Sequence, residues 1–589
     1  MTGGVDGGSE RVRQDVGRST IIPVAFSGMF GSVHIPASQT RRDLAIVICP
    51  PIGTDARKTY RVLFDWAEAL AAEGYPVLRY DPAGEGDSGP IPEGEDKCEA
   101  WIRGGIAAAD FAREWLACDK LVLAGLRAGA TVALAVSDKV RPDGLILLAP
   151  YPTGAAWLRE LRMSAVMLAD RRDGPDGLEV GGIRLSAETM ATMEALDVTG
   201  QADWQPPAFL SAPAPSRALQ TRLGSRLTQV KFTDYAKLFR EAHMAEAPLE
   251  VLAAAADWLS GLSEVIPSRA LVALPPAELE GDTWTEIRVE FGDGLRGVLT
   301  QPRHPAGFDA VIIGNTGGDP RCGVGNFSTE ACRALAAKGV VALRFDFRGL
   351  GESADGDFSR VGGMFVYDVP RTGDLLAATR FLETCGAKGV LLFGVCTGGY
   401  HAVHAVLENH RFSRAVAVNA WLVRRHGVSL DGNEHAKSMQ SKVISGPMEV
   451  SRALHAISGD RWRLVTKRIR WLISAVRSLV PDASARAARA KFQRLAGADR
   501  QIVLLFGVAD RSLSGLDDFG AGGRWLGMQR GVTIYRDLPM DHALAYSESR
   551  ACAVCALVRL ATDAPVLTQG DRLAEGARTR TDGDSSAPQ

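Results

Sequence analysis

No stretch of the chain is a long apolar run. A membrane-spanning helix needs about 20 such residues, so a bilayer-spanning protein is not expected. The first twenty residues are Gly-rich and polar, with no apolar core segment, which argues against a secretory signal and for a disordered N-terminus. A large excess of either charge is missing too. The net charge of −2 gives no global case for a nucleic-acid partner. Cysteine is sparse and irregular: nine residues, an odd number without a repeated framework, as expected of reduced thiols in the cytoplasm. Cys552 and Cys555 form one close pair inside the apolar stretch 551–558. With no second ligand pair nearby they read as helix core rather than a metal site, and neither metal nor cofactor is expected.

What is present is ordinary soluble-protein composition, 46% hydrophobic and 23% charged, on a chain of 589 residues. That length exceeds what one hydrophobic core usually holds, so two or more domains are expected.

The order of elements repeats. In the first half an apolar run at 44–49 ends in Pro50, Pro51 and Gly53, a helical stretch at 60–73 stops at Gly74, and a second run at 76–81 ends in Asp81. Gly84, Gly86 and Ser88 follow, then a helix at about 99–115, a run at 120–124 entering Gly125, Arg127 and Gly129, and a run at 144–150. In the second half the run at 310–314 ends in Asn315, Thr316, Gly317 and Gly318, a helix at 328–338 stops at Gly339, and the run at 341–346 ends in Asp346. Gly349, Gly351 and Ser353 follow, then a helix at about 369–384, a run at 389–393 entering Gly394, Cys396 and Gly398, and a run at 415–419. The shared signature D-x-x-G-x-G-x-S and the shared order mark two copies of one domain. Alternating helices and Val/Ile/Leu-rich strands imply parallel sheets covered on both faces. The expected organisation is a disordered segment 1–20, a first domain 21–262, a linker 263–282 interrupted by Pro267, Pro275 and Pro276, a second domain 283–562, and a disordered tail 563–589. Asp81 and Asp346 are expected to bind turn amides so that the glycines fold tightly.

A strand, a tight glycine turn and a helix together expose a nucleophile at the carboxyl end of a sheet. In G-x-C-x-G the exposed residue is Cys396, a weak motif by itself. The scheme then requires an acid and a histidine, in that order. Asp510 lies just past the apolar run 501–507, and His542 follows the run 532–535. Asp517 and Asp518 are rival acids, and Asp541 adjoins the histidine. A cysteine thiolate is the reactive form, favoured by a helix N-terminus and an imidazolium. His542 would move the proton and Asp510 would orient the ring. Two amides would hold the oxyanion: Thr397 by elbow geometry, and Thr316 from the loop after 310–314, with Gly317 next. His401 and His404 read as packing or surface residues.

The first copy has Arg127 at the nucleophile position. An always-charged guanidinium cannot attack a carbonyl, and no aspartate follows the run near 208–212. His243 is a possible remnant base. This copy is expected to be catalytically dead, with a structural or regulatory role, or to bind an acidic group beside Arg127. Inserts at about 151–205 and 421–500 fall where such sheets carry a cap. Within the second, Trp462, Val465, Ile469, Leu472, Val476 and Leu479 share one helical face, with Arg463, Lys467, Arg470 and Arg477 outside it. The basic helix 461–477 is expected to pack as a cap, with peripheral membrane contact as the alternative.

Both halves resemble α/β-hydrolase-fold enzymes. The fold class implied is α/β: two tandem α/β-hydrolase-fold domains, each a mostly parallel sheet with helices on both faces and a helical cap insert (about 422–500 in the second). More narrowly, the second copy resembles one of two hydrolases associated with exosortase A and exopolysaccharide loci in bacteria. The matching stretches are 344–353, 394–398, 418–421 and 538–542. The first copy resembles the other type, at 50–53, 153–161 and 181–186. The resemblance implies Cys396 as nucleophile, Asp510 as acid and His542 as base, acting on an ester, thioester or other acyl bond of a small-molecule or acylated substrate. Acyl transfer and a non-catalytic binding or scaffold role are the alternatives.

Overall fold

The computed structural model describes residues 19–562 apart from 169–171, 175–176, 201–203, 269–272, 305–308, 355–364, 424–482, 498 and 509. The helix expected at 461–477, and with it the membrane contact, lies outside the described residues, as do 1–18 and 563–589 of the expected disordered ends; Thr20, placed in the first of these, instead opens a strand.

Two large sheets organise the chain. The first has eight strands in the spatial order Thr20–Phe26, Met29–Ile35, Val77–Tyr80, Leu44–Cys49, Lys120–Leu126, Gly144–Leu148, Ala208–Ala212 and Leu227–Lys231. Met29–Ile35 runs antiparallel to both neighbours, and every later pairing is parallel. The second sheet has nine strands. After the short edge strand Glu278–Glu280 come Trp284–Phe291, Leu295–Pro302, Val341–Phe345, Asp309–Ile313, Gly389–Val395, Arg414–Val418, Gln501–Gly507 and Val532–Leu538. Past the edge strand its order and directions repeat those of the first sheet. The central strands are buried along most of their length because helices cover both faces.

The first insert contains the helices Gly154–Leu168 and Ala187–Ala195, and between them a three-stranded antiparallel sheet. Its hairpin, Gly177–Val180 with Ile183–Ser186, turns through Gly181 and Gly182, both at positive φ. Side chains resist that conformation, so a two-residue glycine turn favours a hairpin where a purely helical cap was expected. Residues 263–282 are not a bare tether. Val265–Pro267 pairs with Thr40–Arg42, and Glu278–Glu280 pairs with Trp284–Phe291.

The two copies of D-x-x-G-x-G-x-S fold alike. Asp81 Oδ2 accepts from Asp87 N (3.0 Å) and Asp346 Oδ2 from Glu352 N (3.1 Å). Ser88 and Ser353 hydroxyls donate to the carbonyls of Asp81 and Asp346, each at 2.6 Å. A Cβ on Gly351 would lie 2.2 Å from Asp346 Cγ, so only glycine fits there.

These turns also join the copies. Arg79 and Arg344 stand two residues before the aspartate in each copy. Arg79 of the first copy pairs with Glu352 of the second at 3.0 Å, and Arg344 of the second pairs with Asp87 of the first at 3.1 Å. Arg321 binds Asp87 (2.7 Å), Asp346 (2.7 Å) and Glu352 (2.9 Å), while Arg288 reaches Asp81 at 3.1 Å. All of these groups are buried. Such charges survive burial only when paired and hydrogen-bonded. Burial raises the acidity cost for Asp87, but the Arg321, Arg344 and Arg288 charges outweigh it and bring its carboxyl down to about 2. A small apolar cluster, Phe30 with Ala277, Leu279, Trp284 and Val298, continues the junction.

Candidate active site

Cys396 links the strand Gly389–Val395 to the helix Thr397–Glu408. Its backbone is strained, at φ 52° and ψ −111°, a region non-glycine residues avoid at a cost of about 1–3 kcal/mol. Cys396 N donates to Val418 O (2.9 Å), and its carbonyl accepts from Tyr400 N (3.0 Å) to start the helix. The flanking glycines are required by close approach: a Cβ on Gly394 would stand 2.1 Å from the Gly398 carbonyl carbon, and one on Gly398 would stand 2.6 Å from Asn315 O.

The chain brings Cys396, His542 and Asp510 together. His542 Nδ1 lies 2.8 Å from Asp510 Oδ2, and the ring is close enough to the Cys396 thiol to lower its pKa. Asp510 caps the 3-10 turn Arg511–Phe519, its Oδ1 accepting from Ser512 N at 2.8 Å and from the Ser512 hydroxyl. The Asp510 side chain is 2% exposed and that of His542 is 44% exposed, so the pair has a dry acid and a solvent-facing base. Asn419 fastens the histidine loop. Its Nδ2 donates to Asp541 O (2.9 Å) and His542 O (3.2 Å), while its Oδ1 accepts from Gly507 N (2.9 Å).

The electrostatics follow from these contacts. Burial pushes the Cys396 thiol up, but the hydrogen bond and charge of His542, the Tyr367 hydroxyl and the Thr397 amide together bring it below its ordinary value. Burial opposes the charge on His542, yet its bonds to Asp510 and Cys396 raise its pKa. For Asp510 the burial penalty is overcome by His542 and Ser512, and its carboxyl sits low. These contacts shift the balance toward a thiolate–imidazolium pair.

The rival acids are used elsewhere. Asp517 Oδ1 accepts from Gly522 N at 2.8 Å, and Asp541 closes its own loop by accepting from the amides of Ala543, Ala545 and Tyr546. Asp518 is buried, its carbonyl holding Arg489 Nε at 2.7 Å. The Thr397 amide points at the Cys396 sulfur. The Thr316 amide has no hydrogen-bond partner among the described residues, whereas Gly317 N is taken by Thr397 Oγ1 at 2.7 Å. Sequence reasoning missed Tyr367, on the short helix Phe365–Asp368, whose hydroxyl stands 3.3 Å from Cys396 Sγ. Nothing in the local pattern distinguishes that tyrosine. His401 is buried with Nε2 2.7 Å from Val366 O, so it braces this helix; His404 is part-buried against Leu422 O.

The first elbow has the same backbone and different contents. Arg127 sits at φ 56° and ψ −121°, and its amide donates to Leu148 O at 2.8 Å. Its guanidinium binds Asp55 (3.1 Å), the Tyr235 hydroxyl (2.6 Å) and Glu160, and lies over the Tyr151 ring at 4.6 Å and the Phe239 ring at 5.3 Å. With those partners in place, it is not free to bind an external acid. His243 lies against Gly318 of the second copy.

One expectation needs correcting. Cys555 is exposed and so is not helix core, whereas Cys552 is part-buried and packs against the core of the second copy. The helix Ser547–Ala561 buries Ser549, Arg550, Ala553, Ala556 and Leu557, which leaves Cys552 at the edge of that face and Cys555 on the opposite side. No disulfide joins any of the nine cysteines. Among the described residues no helix is long and apolar enough to cross a membrane.

No protein-family description matches the chain, and no curated protein matches it. Solved structures similar to it include an α/β serine hydrolase without a lid from Xanthomonas campestris, at 18% identity over 43% of this chain and 97% of that one, with TM-score 0.29. Est1E from Butyrivibrio proteoclasticus is 17% identical over 41% of this chain and 99% of its own, with TM-score 0.31. An esterase from Pyrococcus furiosus is 14% identical over 47% and 96%, with TM-score 0.29. At these scores the likenesses carry no weight for the chemistry. The repeated strand order and directions themselves define the class: α/β, with two mostly parallel sheets of the kind expected from the sequence.

Proposed function

We propose that the second copy is a cysteine-dependent acyl hydrolase acting on an ester, thioester or related acyl bond. The observation that carries this reading is the strained elbow of Cys396 at a helix N-terminus, within hydrogen-bond reach of the His542–Asp510 pair. In the first step His542 Nε2 holds the thiol proton and the Cys396 thiolate forms a bond to the acyl carbon. The carbonyl pair moves onto oxygen, where the amides of Thr397 and Thr316 are the donors. Collapse of that adduct expels the leaving group, which takes the proton from His542, and leaves an acyl-cysteine. His542 then deprotonates water, whose attack releases the carboxylic acid and restores the thiol. Asp510 orients the ring and stabilises its charged form throughout.

The narrower resemblance to exosortase A and exopolysaccharide-associated hydrolases belongs to this proposal, as does a reducing, cytoplasmic setting that would preserve the free thiol. The test is a chromogenic ester with rapid mixing. A burst of leaving group, an acyl adduct mapped to Cys396, and loss of both in Cys396→Ala are the expected results. An acceptor alcohol that diverts most product to a new ester makes the enzyme a transferase. An unlabelled Cys396 with no turnover across ester and thioester panels removes the proposal.

A further inference from the structure

The first copy touches the second at the two loops that hold its site. One is the loop after Asp309–Ile313. Here Asn315 Nδ2 donates to Asp319 O (2.9 Å) and Asp319 N donates to Thr316 O (3.1 Å), so Asp319 closes the turn that presents the Thr316 amide. Arg57, on the first-copy helix Thr54–Ala72, donates to Asp319 Oδ1 at 2.8 Å across the junction. Neither side chain is more than 19% exposed. Next to Asp319, a Cβ on Gly318 would stand 2.6 Å from His243 Cβ, so the first copy packs directly on the loop there.

The other is the loop that carries His542 into the helix Ser547–Ala561. That helix has no side-chain cap from its own N-cap residue, Tyr546. The cap comes from the first copy's insert: Glu179 accepts from Ser547 N at 2.5 Å and from Ser547 Oγ at 3.1 Å. Glu179 also lies 3.5 Å from Arg550, which in turn donates to Ala545 O at 2.8 Å. One carboxylate therefore ties both the helix start and, through Arg550, the backbone three residues past His542.

We infer that the first copy is a built-in positioning partner for the second, with Arg57 setting the oxyanion loop and Glu179 setting the base loop. This rests on the reading of Cys396 as the nucleophile. Arg57 and Glu179 are positioning residues, since neither touches the reacting atoms. The two act on different steps. Misplacing an oxyanion donor weakens carbonyl attack, where one lost donor costs about 10²–10³ in kcat, but leaves simple alkylation of the thiolate alone. Misplacing His542 alters the thiol's ionisation and so affects both.

The full chain is compared with Arg57→Ala, Glu179→Ala and Arg61→Ala. Arg61 also crosses the junction, donating to Ser353 O at 3.0 Å, in the D-x-x-G-x-G-x-S turn of the second copy rather than in a site loop. Ester turnover and the pH profile of iodoacetamide alkylation at Cys396 are read in each, with thermal melting as the check on folding. Arg57→Ala should lower kcat by about tenfold or more, with KM and alkylation unchanged. Glu179→Ala should move the acid limb of alkylation to higher pH, and Glu179→Gln, which still accepts from Ser547, should restore most of it. Arg61→Ala should match the parent. Asp319→Asn reads the first pair from the other side if Arg57→Ala folds poorly. Parent-like behaviour of both positioning variants overturns the inference, and so does an equal loss in Arg61→Ala, which would mark general loosening of the junction. A parent protein with neither turnover nor labelling is a separate result: the nucleophile reading fails first and this inference falls with it.

Discussion

Arg127 and Cys396 occupy the same backbone shape, at φ 56° and 52°, each with its amide bonded to the neighbouring strand and each opening a helix. Only the thiol is a nucleophile. The strain at the elbow is therefore a property of the strand–turn–helix join, held by glycine contacts and sheet hydrogen bonds, and it persists without a nucleophile. What separates the copies is the surroundings. Cys396 faces a histidine, a tyrosine hydroxyl and an amide, all of which favour negative charge on sulfur. Arg127 places positive charge at a helix N-terminus, which the dipole disfavours, and Asp55, Glu160 and three aromatic rings compensate.

The comparison can be broken most sharply at His542. Replacing it with alanine should cut ester turnover by about 10²–10⁴-fold, the range for a lost general acid–base group. The same change should move the acid limb of alkylation upward. The sign follows from the pair: thiolate forms as pH rises through a Cys396 pKa that is lowered, and the imidazolium, the acid that protonates the leaving group, is lost as pH rises through a His542 pKa that is raised. The parent should thus alkylate at lower pH than an ordinary thiol, and its turnover should fall at both extremes. An unchanged alkylation profile in His542→Ala would show that the two elbows differ only in residue type.

The second test concerns what the copies share. Asp87→Ala leaves Arg321 and Arg344 short of a buried partner and should cost about 3–5 kcal/mol in denaturant unfolding. Glu352→Ala, at the equivalent turn, should cost a similar amount. A loss of under about 1 kcal/mol for either would mean that the junction tolerates a missing partner. A smaller effect is expected at Tyr367. Its replacement by phenylalanine removes one hydrogen bond to sulfur, worth about 1 kcal/mol or roughly fivefold in acylation rate. The smallest effect tests whether the first elbow lacks only its nucleophile. Arg127→Cys should give no added turnover, measured in a Cys396→Ala background, because Arg127's hydrogen-bond partners are Asp55, Tyr235 and Glu160, with no histidine among them. Measurable turnover there would show that the first copy had kept the rest of a site.

The sheets were legible because buried parallel strands read as short Val/Ile/Leu runs, and because glycines mark both elbows and both D-x-x-G-x-G-x-S turns. The approach of Cys396, Asp510 and His542 was legible through chain order alone, since each follows a strand of one sheet. The exchanged pairs were not. Arg79 and Arg344 are visible as the same repeat position, but nothing in one dimension says that each reaches the other copy's turn. Glu179 was equally hidden, because its partner Ser547 lies far along the chain and the contact exists only once the insert hairpin folds. Cys555 was misread for another reason: the apolar composition of 551–558 was weighed, but the 3.6-residue face formed by Ser549, Ala553 and Ala556 decides burial.

The crossed pairing of Arg79 with Glu352 and Arg344 with Asp87 has the logic of a two-fold dimer, in which residue i meets j of the partner and j meets i. Here both partners are on one polypeptide. A separate dimer falls apart on dilution, whereas a tethered pair meets at an effective concentration fixed by the connection. Dilution should therefore not separate the copy that carries Cys396 from the copy that carries Arg127.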